Sequence, residues 1–143
     1  MPTAPIELGE ESITSAVNTS GKGGVIQITG NEIHLKSGAK ADAFGKTGGG
    51  EIYVGGGYQG IDALISNADN TFVERGVQLT ADATGAGDGG KVVVWSDGHT
   101  SFSGKISARG ALAEGDGGLA EVSGKKTLTY DGVVDLSAPG GRT

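Results

Sequence analysis

Gly89-Gly90-Lys91-Val92-Val93-Val94 is the stretch on which the fold turns. A Gly-Gly pair followed by residues of alternating character occurs three more times, as Gly23-Gly24-Val25-Ile26-Gln27-Ile28, Gly49-Gly50-Glu51-Ile52-Tyr53-Val54 and Gly117-Gly118-Leu119-Ala120-Glu121-Val122. The first glycines stand 26, 40 and 28 residues apart. Period-two alternation over four to six residues, bounded by Gly, Asn, Asp and Ser, is a strand-and-turn signature, and no stretch carries a helical period.

Each unit contains two further short stretches. The second includes Ile33-His34-Leu35, Thr71-Phe72-Val73, Thr100-Ser101-Phe102 and Leu128-Thr129-Tyr130; the third is rich in alanine, as in Ala41, Ala43, Ala81, Ala83, Ala108 and Ala138. A unit of three short strands cannot bury its apolar face alone, but it can wind once around an axis and stack on the next copy. The sequence therefore predicts one all-β domain over 1–143, a parallel β-helix (β-solenoid) of four to five coils. A partial coil covers 1–22, and coils start near 23, 49, 89 and 117. At ~4.8 Å per coil the rod is only about 20–25 Å long.

Superposing the units stacks Ile26, Ile52, Val92 and Ala120, then Ile28, Val54, Val94 and Val122, as an aliphatic interior. The intervening positions face outward and make Glu51 and Lys91 neighbours of opposite charge. The long spacing of 40 residues places an insertion at about 55–70, where solenoids project loops from one face.

Composition narrows the function. The chain of 143 residues holds 29 Gly, 3 Pro and no Cys, so neither a disulfide framework nor a cysteine metal site exists, and the glycines lack the every-third spacing of collagen. A net charge of −6 argues against a nucleic-acid partner. No apolar run is long enough for a transmembrane segment, and Met1-Pro2-Thr3-Ala4-Pro5 has neither the basic nor the apolar region of a signal peptide.

Few residues suggest chemistry. Asp88 and Asp116 each precede a Gly-Gly pair and would be stacked neighbours, close enough to share a calcium ion; ordinary Asp-Gly turn capping is the favoured reading. Tyr53, Tyr58 and Trp95 could form an aromatic platform for sugars, against the favoured reading that the insertion packs over Tyr53 and Trp95. His34 and His99 lack the partners of a zinc site and read as solvated. Asp42, Asp82 and Arg109 in the third strands read as an outward ionic ladder rather than a catalytic pair. No cofactor and no enzymatic activity are expected.

The stretches Gly48–Gly60, Gly87–Gly98 and Gly115–Lys125, closed by Val134-Asp135-Leu136-Ser137-Ala138-Pro139-Gly140-Gly141, resemble the repeat region of filamentous haemagglutinin-like exoproteins, bacterial passengers of two-partner secretion. The resemblance implies a right-handed parallel β-helix forming the shaft of an adhesin at the bacterial surface, exported through an outer-membrane partner, with a host or matrix glycan or protein as the adhesive target. The family's secretion domain carries Asn-Pro motifs; this chain has none, so the match is read as shaft. Neither end has an amphipathic cap, and the coil ends would meet either adjacent coils of a longer parent chain, the favoured reading, or other copies end to end. A self-assembling fibre subunit and a carbohydrate-binding or polysaccharide-degrading β-helix are the alternatives.

Overall fold

The computed structural model describes residues 5–143. The part of the expected first coil at 1–4 lies outside the described residues. The chain is an all-β solenoid of about five turns. An incomplete first turn supplies β1 (Ile6–Leu8) and β2 (Ile13–Ser15). The next supplies β3 (Val25–Ile28), β4 (Glu32–Leu35) and β5 (Lys40–Asp42), and the third β6 (Glu51–Val54), β7 (Asn70–Val73) and β8 (Gln78–Thr80). Then follow β9 (Lys91–Ser96), β10 (His99–Phe102) and β11 (Lys105–Ser107), and finally β12 (Leu119–Gly124), β13 (Thr127–Tyr130) and β14 (Val133–Asp135).

Corresponding strands form three parallel sheets along the axis, β3-β6-β9-β12, β1-β4-β7-β10-β13 and β2-β5-β8-β11-β14. The first sheet has the register that the superposed Gly-Gly units demand: Ile26 pairs with Ile52, Ile52 with Val92 and Val92 with Ala120. Inward positions of the second sheet stack Leu35, Val73, Phe102 and Tyr130, and those of the third stack Ala41, Leu79, Ile106 and Val134. The middle of the interior is closed and mostly apolar: Ile52, Val92, Val94, Phe102 and Ile106 are fully buried. Each such side chain stabilises the fold by roughly 1.5–3 kcal/mol.

Two threonines, Thr71 and Thr100, also occupy inward positions. Their hydroxyls donate along the axis, Thr71 Oγ1 to the Trp95 carbonyl and Thr100 Oγ1 to the Ser123 carbonyl, both at 2.8 Å. A buried hydroxyl without such a partner would be destabilising.

The Gly-Gly pairs owe their presence to the corner between the third and first sheets. There the second glycine of each pair donates to an alanine carbonyl at the end of the third stretch: Gly50 to Ala43 and Gly90 to Ala81 at 2.7 Å, Gly118 to Ala108 at 2.8 Å. A Cβ on Gly49 or Gly89 would collide with the Ala81 or Ala108 carbonyl, at the far end of the coil that each glycine opens. The backbones approach too closely for any side chain at this corner, and the facing alanines are the smallest inward residues that still carry one.

Candidate functional site

The long coil departs from the repeat at Gly55–Asp69, between β6 and β7. The departure is closed at its neck. Gly55 donates to the Ile28 carbonyl at 2.9 Å, Ala68 to the Gly55 carbonyl at 2.8 Å, and Asp97 to the Ala68 carbonyl at 2.8 Å, so the axial ladder passes through the neck unbroken. The segment between folds back over the outer face of the first sheet, where a short 3-10 turn at Tyr58–Gly60 carries the chain across β9.

Beneath it lies a second, smaller apolar cluster of Tyr53, Val93 and Ile65, with half-buried Trp95 packed against it. Gly56 and Gly60 sit on the indole, both at positive φ, and a Cβ on Gly56 would stand 2.8 Å from Trp95 Cδ1. The indole Nε1 donates to Asp97 Oδ1 at 3.0 Å, and the same oxygen accepts from Asn67 Nδ2 at 3.1 Å. Asn67 Nδ2 also donates to the Gly60 carbonyl at 2.9 Å, and the Gln59 N–H donates to Glu121 Oε1 at 2.7 Å. These bonds hold the insertion across β9 and β12.

Tyr53 therefore points outward from its strand, as the alternation requires, yet is only 7% exposed. Its hydroxyl donates to Glu51 Oε1. Burial first, then that bond and the charges of Glu51 and Asp62, push the phenol well above its ordinary value. The Glu51 carboxylate thus turns to Tyr53, although Glu51 and Lys91 are register partners. Of the three aromatics singled out in the sequence only Tyr58 is exposed, so Tyr53, Tyr58 and Trp95 do not form an open platform.

Asp88 and Asp116 are brought together one coil apart. Asp88 Oδ1 accepts the Asp116 N–H at 2.8 Å, and Asp116 Oδ1 accepts the Arg142 N–H at 2.9 Å. Each carboxylate caps backbone of the following coil rather than its own turn. Asp82 does the same, accepting the Arg109 N–H at 2.8 Å and the Ser107 hydroxyl at 2.6 Å. Among the described residues no group of three or more His, Cys, Asp or Glu is placed to hold a metal ion.

The outward face of the third sheet and its end carry Asp42, Asp82, Arg109 and Asp135. Asp42 pairs with Thr80, not with Asp82, so the two aspartates occupy different columns of the ladder. Arg109 Nε donates to Ser137 Oγ at 3.1 Å and lies 3.8 Å from Asp135 Oδ2, an ion pair across coils. Desolvation raises the Asp42 pKa above the usual carboxylate value, with Lys40 acting against it. Asp135 is held low, chiefly by the Ser137 N–H, with help from the Ser137 hydroxyl, Arg109 and Lys105.

One arrangement carries no local sequence signal. His34 packs on Phe72 with ring centroids 4.8 Å apart and planes tilted by 39°, and reaches Glu32 through Nε2 at 3.0 Å, while His99 lies 6.2 Å from Phe72. The signal that finds it is the coil register, which makes His34 and Phe72 partners 38 residues apart.

No family model and no curated protein matches the chain. Among solved structures it is similar to the HMW1 secretion domain from Haemophilus influenzae, with 32% sequence identity and a TM-score of 0.72 over 88% of this chain. This chain spans 34% of that one, about a third of its length. Among the described residues no helix is long and apolar enough to cross a membrane.

Proposed function

We propose that the chain is a structural shaft segment of a secreted bacterial surface adhesin, non-catalytic, exported through an outer-membrane partner. The observation that carries this reading is the uninterrupted axial hydrogen-bond ladder in all three sheets, which passes even through the neck of the insertion. Stretching such a rod along its axis loads many parallel hydrogen bonds at once, and every coil adds length without new chemistry. The likeness to a secretion domain supports the export context. So does the topology, since each coil offers a preformed edge on which an emerging chain adds the next.

That same likeness favours a second reading, in which these coils serve export itself rather than reach. The burial of Tyr53 supports the shaft over the carbohydrate alternative, because it leaves Tyr58 as the one exposed member of the three aromatics singled out in the sequence.

Pulling single molecules tests the shaft. The chain has no cysteine, so Glu10→Cys and Arg142→Cys supply handles at opposite ends. A shaft should unravel in steps of one coil, each releasing roughly 90 Å of extended chain for the coils of 26 and 28 residues and about 135 Å for the coil of 40. Rupture in one event at low force would count against it. Binding of the untethered chain to members of a glycan array would replace the shaft with the carbohydrate reading.

A further inference from the structure

In a solenoid each turn touches the turns next to it, so the opening of one turn is felt only by its neighbours. One segment here departs from that rule. The insertion leaves the third turn after Val54, crosses the fourth and reaches the fifth. Its path follows one outward column of the first sheet, in which Tyr53 pairs with Val93 and Val93 with Glu121.

The insertion uses the three positions differently. Tyr53 and Val93 pack against its Ile65, and Val93 is fully buried although it faces away from the solenoid interior. Glu121 is instead an acceptor. Its Oε1 takes the Gln59 N–H at 2.7 Å, across 62 residues of chain, and its Oε2 takes the Ser123 hydroxyl at 2.9 Å, which orients the carboxylate. Hydrogen bonds to an ionised acceptor are among the stronger ones. Gln59 is held at φ +55°, a left-handed conformation that a residue with a side chain keeps only where surrounding contacts impose it. The turn Tyr58–Gly60 that carries it touches both β9 and β12. Asn67 adds a tie to Asp97 of the fourth turn.

We propose that the insertion is a strap that couples the third turn to the fifth through the Gln59–Glu121 bond, with the fourth turn clamped between them. Parting the fifth turn from the fourth then breaks the bond to Gln59 as well as the ladder between β9 and β12. Once that bond is lost the strap is freer to lift, and lifting it brings Val93, Ile65 and the Trp95 indole into water, at a cost proportional to the apolar area exposed. The fifth turn therefore protects the insertion, and the insertion protects the fifth turn. Such a coupling is reciprocal by necessity, so each end gains the same factor from the other.

The topology also sets the order in which the strap closes. Glu121 follows Gln59 by 62 residues, and β12 has its place only once β9 is stacked on β6, because β9 lies between them. The strap thus closes over turns already formed. This coupling does not rest on the shaft reading: it alters how often a turn opens, not the length that a turn releases under force.

The test is amide hydrogen exchange on the intact chain, read at both ends of the strap. On the insertion the reporters are the Gly60 and Ile65 N–H groups, bonded to the Gly57 and Asp62 carbonyls. On the fifth turn they are Leu119 and Lys125, bonded to the Gly90 and Ser96 carbonyls of the fourth. Ala43, whose N–H joins the second turn to Thr80 of the third, is the control. Glu121→Ala should speed exchange at Gly60 and Ile65 by about threefold to tenfold, as for the loss of a partly exposed bond to a charged group. Gly60→Ala, which sets a methyl group against the indole and lifts the strap, should speed exchange at Leu119 and Lys125 by a similar factor, although the insertion bonds neither amide. Glu121→Gln keeps an oxygen acceptor and should exchange more slowly at Gly60 and Ile65 than Glu121→Ala. Three results would overturn the strap: acceleration confined to the mutated element, acceleration at Ala43 as large as at the distant reporters, or Glu121→Gln exchanging like Glu121→Ala. None of them changes the steps expected under force, so failure here is distinct from failure of the shaft reading.

Discussion

Gly60 lies against the indole of Trp95, so close that a Cβ on the glycine would fall within the Cε2–Cζ2 edge of the ring. The contact joins the insertion to the flank of the solenoid, and it exists because Gly60 has φ +68° and no side chain. Replacing Gly60 by Ala combines backbone strain of about 1–2 kcal/mol with that collision. The insertion should lift, shown by a red shift of Trp95 fluorescence and by protease cleavage within 55–69. Trp95→Ala should destabilise by about 2 kcal/mol, less than a fully buried indole because one side stays open.

The corner glycines make a sharper case. Gly49→Ala and Gly89→Ala each drive a methyl group into the alanine carbonyl that ends the same coil one turn on, which has no slack along a continuous ladder. Each should destabilise by about 3 kcal/mol or more in urea unfolding, at the upper end for overpacking. Gly9→Ala is the control: nothing lies within 4 Å of a Cβ there, and its stability should be unchanged within about 0.5 kcal/mol.

Interior substitutions test the stacking register. Val94 is fully buried between Val54 and Val122, so Val94→Asp places a carboxylate where no donor can reach it and should abolish cooperative folding, as judged by circular dichroism. Phe102→Ala should destabilise by about 3–5 kcal/mol and remove the ring on which Tyr130 stacks. A cooperative transition retained in Val94→Asp would mean that the coils are stacked in another register.

Two aspartates on one face should respond to pH in opposite senses. Asp135 has a folded pKa below its unfolded value of 3.8, so its stabilising effect is present above that value and fades as pH falls through the folded one. Asp42 has a folded pKa above 3.8, so folding favours its neutral form, and ionisation as pH rises weakens the fold. Asp135→Asn should therefore be less stable than wild type at neutral pH, with the deficit vanishing in acid. Asp42→Asn should be at least as stable as wild type at neutral pH, with any gain vanishing below both of its pKa values. Urea midpoints from about pH 3 to 7 check both signs; parallel profiles for the two variants would contradict them.

By itself the sequence determined the architecture. Gly-Gly followed by alternating residues is a local signal, and its recurrence sets which strands stack, so the inward columns from Ile26 to Ala120 and from Leu35 to Tyr130 are legible before any coordinates. What only the tertiary structure decided depends on where the chain goes between repeats. The partner offset is 26 residues from Glu51 back to Val25 but 38 from Thr80 back to Asp42, because the insertion falls between the first and second strands of its coil; Asp42 and Asp82 look equivalent in sequence and are not. Asp88 and Asp116 read as caps of their own turns, and their carboxylates instead reach the backbone of the coil above, a distance set by coil stacking. The sequence favours packing of the insertion over Tyr53 and Trp95, but the path of residues 55–69 that covers them has no periodicity to read. Repetition encodes the rod because each coil repeats the same local problem. The flank is decided by contacts made once, and a single sequence holds no second copy of them from which to infer the rule.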